Sequence, residues 1–168
     1  MSETRTVTGQ IIEDLDEFKA QWEQNATDPA QSVLFLLMGS YIFAQGDTAL
    51  GEAMVTVVLR EQDLWKDPKS PTGFKMALSD RHYLDQIAEH PEVVNSYHGG
   101  TPDNGYQVDP QNLAMQVVGE FTSGNDGTIS IQSAGKDFAT PINVQLNDEG
   151  QWKLLNISSL ATGVKPAN

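Results

Sequence analysis

The sequence predicts an α+β fold, with about four N-terminal helices packed on a C-terminal antiparallel sheet of about four strands. Two observations predict it. Apolar residues recur every three to four positions in the first half, and after Asn112 the period falls to two, with Leu113, Met115, Val117 and Phe121 alternating with polar neighbours. The runs that follow are joined by short turn signals, "SGNDG", "AGKD" and "NDEG". Strands joined that tightly pair antiparallel, because parallel neighbours need a long crossover. Helices first and strands afterwards place the helices on one face of a meander.

The elements follow in chain order. Residues 1 to about 10, "MSETRTVTGQ", are polar, Thr-rich and aperiodic, and read as a loose tail ahead of one domain over 11–168. From Ile11 the pattern is helical: Ile11, Leu15, Phe18 and Trp22 share a face, and Glu13, Asp14, Asp16 and Glu17 fill the first turns, where acids favour the helix dipole. In "TDPAQS", Asp28 caps a second helix and Pro29 suits its first position. This helix is apolar on nearly every side from Val33 to Phe43, the mark of a helix buried against several neighbours. Gly46 ends it and Asp47 caps a third, about Thr48 to Leu59, with Leu50, Met54, Val57 and Val58 on one face. "KDPKSPTG" reads as a surface loop. Ser79 is expected to cap a fourth helix, Asp80 to Glu89, showing Tyr83, Leu84 and Ile87, with Pro91 ending it. In the second half, "TISIQS" is a short strand, Phe138, Ile142, Val144 and Leu146 mark the next, and "QWKLLNISSL" the last, with Trp152 anchoring the sheet to a helix.

A length of 168 residues suits one domain, and 39% hydrophobic residues suffice for an ordinary core. The formal net charge of -13 argues against nucleic acid and against an anionic membrane surface, since both demand a basic face. With no cysteine there is no disulfide, zinc-thiolate site or Cys nucleophile. The start lacks a secretory apolar stretch, and "SVLFLLMGSYIFA" is too short to span a bilayer, so a cytoplasmic location is expected unless a leader has been removed.

Motifs for chemistry are sparse. His82, His90 and His98 stand eight residues apart, which does not bring two imidazoles to one helix face, so no transition-metal site is expected. Asp103, Asn104, Gly105 and Asp109 offer oxygens without the spacing of a calcium loop, and Asn125-Asp126-Gly127 reads as a turn. No Gly-x-Ser-x-Gly elbow, phosphate loop or dinucleotide fingerprint occurs, so neither a catalytic residue nor a cofactor is assigned. Trp22, Trp65 and Trp152 fit core or rim packing better than a binding platform.

One stretch stands apart. "SYHGGTPDNGY", Ser96 to Tyr106, concentrates glycines, Pro102, His98 and two tyrosines. Ser96, Tyr97, Thr101, Pro102, Asn104 and Tyr106 in it, Gln132, Ser133, Gly135, Asp137 and Pro141 in "IQSAGKDFATPINVQL", and Trp152, Ser158, Ser159, Leu160, Gly163 and Pro166 near the end resemble the pattern of a bacterial family known only as a domain of unknown function. The two helices from Asp28 to Leu59 are similar as well. His98 stands where that family tends to have Phe, and Thr140 where it often has Arg. The resemblance implies one compact α+β domain and brings no activity, substrate or catalytic residue.

Two readings of the loop follow. As scaffold, Thr101 to Gly105 has the chemistry of consecutive turns, with Tyr97 and Tyr106 burying their rings beneath it and bonding its backbone. As a recognition loop, Tyr97, His98, Thr101, Asp103, Asn104 and Tyr106 offer polar contacts beside the sheet's concave face. The function expected is a non-catalytic binding or interaction module whose partner is another protein. The alternatives are a small hydrolase or isomerase using His82, His98, Asp103 or Asp137 in a pocket between sheet and helices, and an acidic inhibitor or immunity-type protein.

Overall fold

The computed structural model describes residues 4–168. The fold is α+β, with helices on one face of an antiparallel sheet. The main sheet has five strands, one more than expected, in the order β1 (Arg5–Gly9), β4 (Leu113–Ser123), β5 (Asp126–Gln132), β6 (Thr140–Leu146), β7 (Trp152–Leu155). The extra strand corrects the reading of residues 1 to about 10 as a loose tail. Arg5–Gly9 pairs antiparallel with β4, Val7 facing Met115, while residues 1–3 lie outside the described residues. Only Val7 of β1 is buried, too little for an alternating signal. The strand is pinned instead by Arg5, whose guanidinium bonds Glu120 of β4 at 2.8 and 2.9 Å and Asp28 at 2.8 and 3.1 Å.

The helices are α1 (Leu15–Asn25), α2 (Pro29–Ala44), α3 (Thr48–Val58), α4 (Leu78–Glu89) and the short α5 (Pro91–Asn95). Asp14, Asp28 and Asp47 cap the first three through their carboxylates. Helix α1 starts at Leu15, so Ile11 precedes it; the Ile11 N–H is taken by Pro110 O at 2.7 Å. Ser79 is not a cap, since α4 begins at Leu78 behind Ala77. Pro91 does stop α4, but it also opens α5, where its missing N–H costs nothing. The "KDPKSPTG" loop turns a two-stranded hairpin, β2 (Leu64–Lys66) with β3 (Phe74–Met76). Phe138 lies before β6 and is 84% exposed, so it marks a loop and not a strand.

Helix α2 is the centre: twelve of its 16 residues are buried. It meets α1, α3, α4 and α5 as well as β1, β5 and β7. It lies so close to α3 that a Cβ on Gly51 would sit 2.5 Å from Phe43 N, so only glycine fits there. The buried polar side chains on α2, Ser32 and Ser40, are both bonded. Trp22 Nε1 donates to Ser32 Oγ at 3.0 Å, and Ser32 Oγ donates to Trp152 O at 2.7 Å, joining α1, α2 and β7 in one buried chain. Trp152 N donates to Ala26 O at 2.8 Å, so the expected anchoring of the last strand to a helix is seen. The Ser32→Ala variant leaves the Trp22 N–H and one carbonyl unpaired, and is expected to lower the unfolding free energy by about 1–3 kcal/mol in urea titrations. A loss below about 0.5 kcal/mol would show that water replaces the hydroxyl.

Candidate functional site

The site grows from the connection between β5 and β6. Residues 133–139 cross the end of the sheet and are clamped on two sides. On one side, Ser96 Oγ donates to Val93 O at 2.6 Å and accepts from Ser133 Oγ at 2.6 Å, and Ala134 N donates to Ser96 O at 2.9 Å. On the other, Lys165 N donates to Gly135 O at 2.9 Å. Tyr106, whose phenol donates to Lys165 O at 2.5 Å, lies against Gly135 so closely that a Cβ there would meet the phenol oxygen at 2.5 Å. The three stretches that carry the family resemblance therefore meet in one place, though they are far apart in the chain.

The buried Tyr97 phenol organises the floor. It donates to Leu160 O at 3.1 Å. With its proton committed there, it accepts from Thr140 Oγ1 at 3.0 Å and from Lys136 Nζ. Burial pushes the phenol up to about 12, so it stays protonated at neutral pH. The Lys136 ammonium also donates to Thr162 Oγ1 at 2.7 Å and, at longer range, to Leu160 O at 3.3 Å, and lies 4.8 Å from the Tyr97 ring centroid. Burial pulls its amine down to about 8. Among the described residues no carboxylate forms an ion pair with it.

Above this floor opens a cleft of about 550 Å³ between residues 135–141 and 159–165. Ala139, Pro141 and Val164 give it apolar walls, Phe138 stands exposed at its rim, and Asp137 and Lys165 pair across the rim at 2.7 Å. Two other hollows differ in charge. The one of about 320 Å³ beside Arg60 is lined by Glu61, Asp148 and Glu149, and its arginine already holds Asp63. The one of about 400 Å³ beside Trp65 has its Arg81 bound to Glu52. The first of these also holds the half-buried Lys153, which donates to Val57 O at 2.8 Å with Glu61 and Glu149 in the same hollow, whereas in the Lys136 cleft the one acid, Asp137, is taken by Lys165.

The residues expected to make contacts are largely committed to holding the structure. Tyr97, His98 and Tyr106 are buried. Their phenols bond the C-terminal segment rather than the loop's own backbone, a correction to the scaffold reading, which placed those bonds within the loop. Thr101, Asp103 and Asn104 lie on a 3₁₀ turn, with Thr101 and Asn104 capping each other: Asn104 N donates to Thr101 Oγ1 at 3.1 Å and Thr101 N to Asn104 Oδ1 at 2.8 Å. The Asn104 amide also bonds the carbonyls of Gly99 and Gln107, and Asp103 accepts from Asn168. Of His82, His98, Asp103 and Asp137, only Asp137 lines the cleft. Among the described residues, no three His, Asp or Glu side chains gather as a metal site, and no helix is long and apolar enough to cross a membrane. Lys136 and Thr162 were hidden in turn and loop segments, where no periodicity marks a residue, and Phe138 was read as part of a strand.

His98 is a separate matter. Its side chain is fully buried against Tyr41, and neither ring nitrogen has a hydrogen-bond partner. Burial pulls the imidazole down to about 4.

These features define a class: an α+β domain with its helices on one face of an antiparallel meander and a cleft at one end of that sheet. A profile of the family described as a domain of unknown function, DUF6935, matches residues 10–168. The chain belongs to that family. No curated protein and no solved structure matches it.

A histidine held neutral in the fold has a depressed folded pKa, so the unfolded chain binds the extra proton as pH falls below about 6.5. Stability is complete above that pH and is lost progressively towards pH 4, by about 3 kcal/mol. His98→Phe, which removes the titration and leaves no orphaned nitrogen, is expected to flatten the profile of unfolding free energy between pH 6.5 and 4. An unchanged slope would mean that other groups carry it.

Proposed function

We propose that the chain is a non-catalytic binding module whose contact site is the cleft between residues 135–141 and 159–165. The observation that supports this most directly is the half-buried ammonium of Lys136, without an ion pair, at the floor of a recess with apolar walls at Ala139, Pro141 and Val164. A recess of this size suits one small ligand or one protruding group, fixed by a few polar contacts while its walls exclude water. The expected protein partner then enters as a side chain or chain end seated in the cleft. With a net charge of -13, the module favours a partner whose surrounding surface is neutral or basic. The loop from Ser96 to Tyr106 acts in this reading as the buttress that holds Lys136 and the C-terminal segment in register.

The test is a fragment library titrated into the isotopically labelled full chain. Bound fragments are expected to move the backbone amide signals of residues 135–141 and 159–165. Ala139→Trp, which fills the cleft from its wall, should abolish those shifts without lowering the melting temperature. Fragments that bind elsewhere, shifts indifferent to Ala139→Trp, or no binder at all would overturn the reading.

A further inference from the structure

Resting on that reading, we propose that the group taken by the cleft carries a single carboxylate, held on Lys136 Nζ, and an apolar body seated against Ala139, Pro141 and Val164. The first argument is charge. All three arginines of this acidic chain hold carboxylates: Arg5 holds Asp28 and Glu120, Arg60 holds Asp63, and Arg81 holds Glu52 and Asp85. The rim lysine Lys165 holds Asp137. Lys136 is more enclosed than Lys165 and donates only to neutral oxygens, those of Tyr97, Leu160 and Thr162. A cation withdrawn from water gains most from a charged acceptor, because charge-assisted bonds are roughly twice as strong as neutral ones.

The second argument is geometric. The Tyr97 phenol and Leu160 O lie on the buried side of the ammonium, and Thr162, its most exposed partner, lies on the cleft side. A carboxylate oxygen arriving through the cleft therefore meets the ammonium beside Thr162 Oγ1, sharing or displacing the most exposed of its bonds to protein. One lysine is a point charge and matches a monoanion. A dianion such as a phosphate would place its second charge near Asp137 at the rim, with no further cation free to meet it. The apolar walls set the remainder of the ligand.

The third argument is proton linkage. The titratable groups facing Lys136 are the Tyr97 phenol, which stays protonated to about 12, and the Asp137–Lys165 pair at the rim. With the free amine near 8, a bound carboxylate favours its charged form. Affinity for an acid then falls as pH rises above 8, and affinity for a neutral isostere does not.

The experiment uses four probes on the full chain, with binding measured by calorimetry and located by amide shifts: hexanoate, hexanamide, a short neutral peptide ending in leucine with a free carboxylate, and the same peptide amidated. Hexanoate, the free-acid peptide or both are expected to bind in the cleft at pH 7 at least tenfold tighter than the matching amide, with the advantage gone by pH 10. Tight hexanoate alone identifies a free organic acid as the source, and a tight free-acid peptide identifies a chain terminus. Lys136→Met should erase the difference and Lys136→Arg should keep most of it, while the comparison of acid with amide on the unmodified chain does not depend on how either variant folds. Amides that bind in the cleft as well as the acids would overturn the carboxylate assignment and leave the binding module standing. If no probe and no fragment enters the cleft, both readings fall.

Discussion

A helix that is apolar around its whole circumference has to be covered on every side, and α2 imposes that requirement on the rest of this chain. Each fully buried leucine or phenylalanine contributes about 1.5–3 kcal/mol only if something removes it from water. No single layer can cover Leu34, Leu36, Leu37 and Phe43 together, because they point in different directions around the axis. The sheet covers one side; α1, α3, α4 and α5 cover the others. The two serines on α2 obey the same rule from the polar side. Ser32 links Trp22 to Trp152, and Ser40 donates to Leu36 O while accepting from Tyr83. A hydroxyl in this layer is tolerated because it fastens two neighbours, and unpaired it would cost free energy.

The end of the chain is held by a different device. Beyond β7 the backbone forms a single 3₁₀ turn, Ser158–Ala161, and then no regular structure. It is fixed because other segments capture its backbone groups: Tyr97 takes Leu160 O, Tyr106 takes Lys165 O, Gly135 O takes Lys165 N, and Pro102 O takes Asn168 N. The loop with the unusual composition is thus a latch. Gly100 has a steric purpose there: a Cβ on it would lie 2.9 Å from the backbone of both Asn95 and Tyr106. Because the same Tyr97 oxygen that holds the latch receives Lys136, the scaffold and the cleft share one atom, and strain on either is felt by the other.

That division explains what the sequence discloses. Helices α1 to α3 and strands β4, β5 and β7 were legible because each has a dominant buried face, and carboxylate caps mark where three helices begin. Strand β1 was not legible, since its position comes from Arg5 bonding residues 23 and 115 positions away. Phe138 misled because an apolar residue next to a strand looks like part of it, whereas it projects to solvent. His98 misled in the opposite direction: a titratable residue in a Gly-rich loop reads as exposed, yet His98 is fully buried, its ring against Tyr41 and its carbonyl taken by Ala114 N. The cleft was the least legible of all. It lies between two loop segments, residues 135–141 and 159–165, and its central residue sits in "AGKD", which local pattern reads only as a turn.

The Lys136 amine is also surplus to the scaffold it touches. The Tyr97 phenol already has an acceptor in Leu160 O and a second partner in Thr140, and Thr162 Oγ1 has its own acceptor in Ser159 O at 3.1 Å. An apolar side chain of similar length would leave every one of those bonds intact and would avoid withdrawing a charge from water. Burial is what lowers the amine. An ammonium held by neutral oxygens at the floor of an open cleft is a cost that a negatively charged ligand would repay.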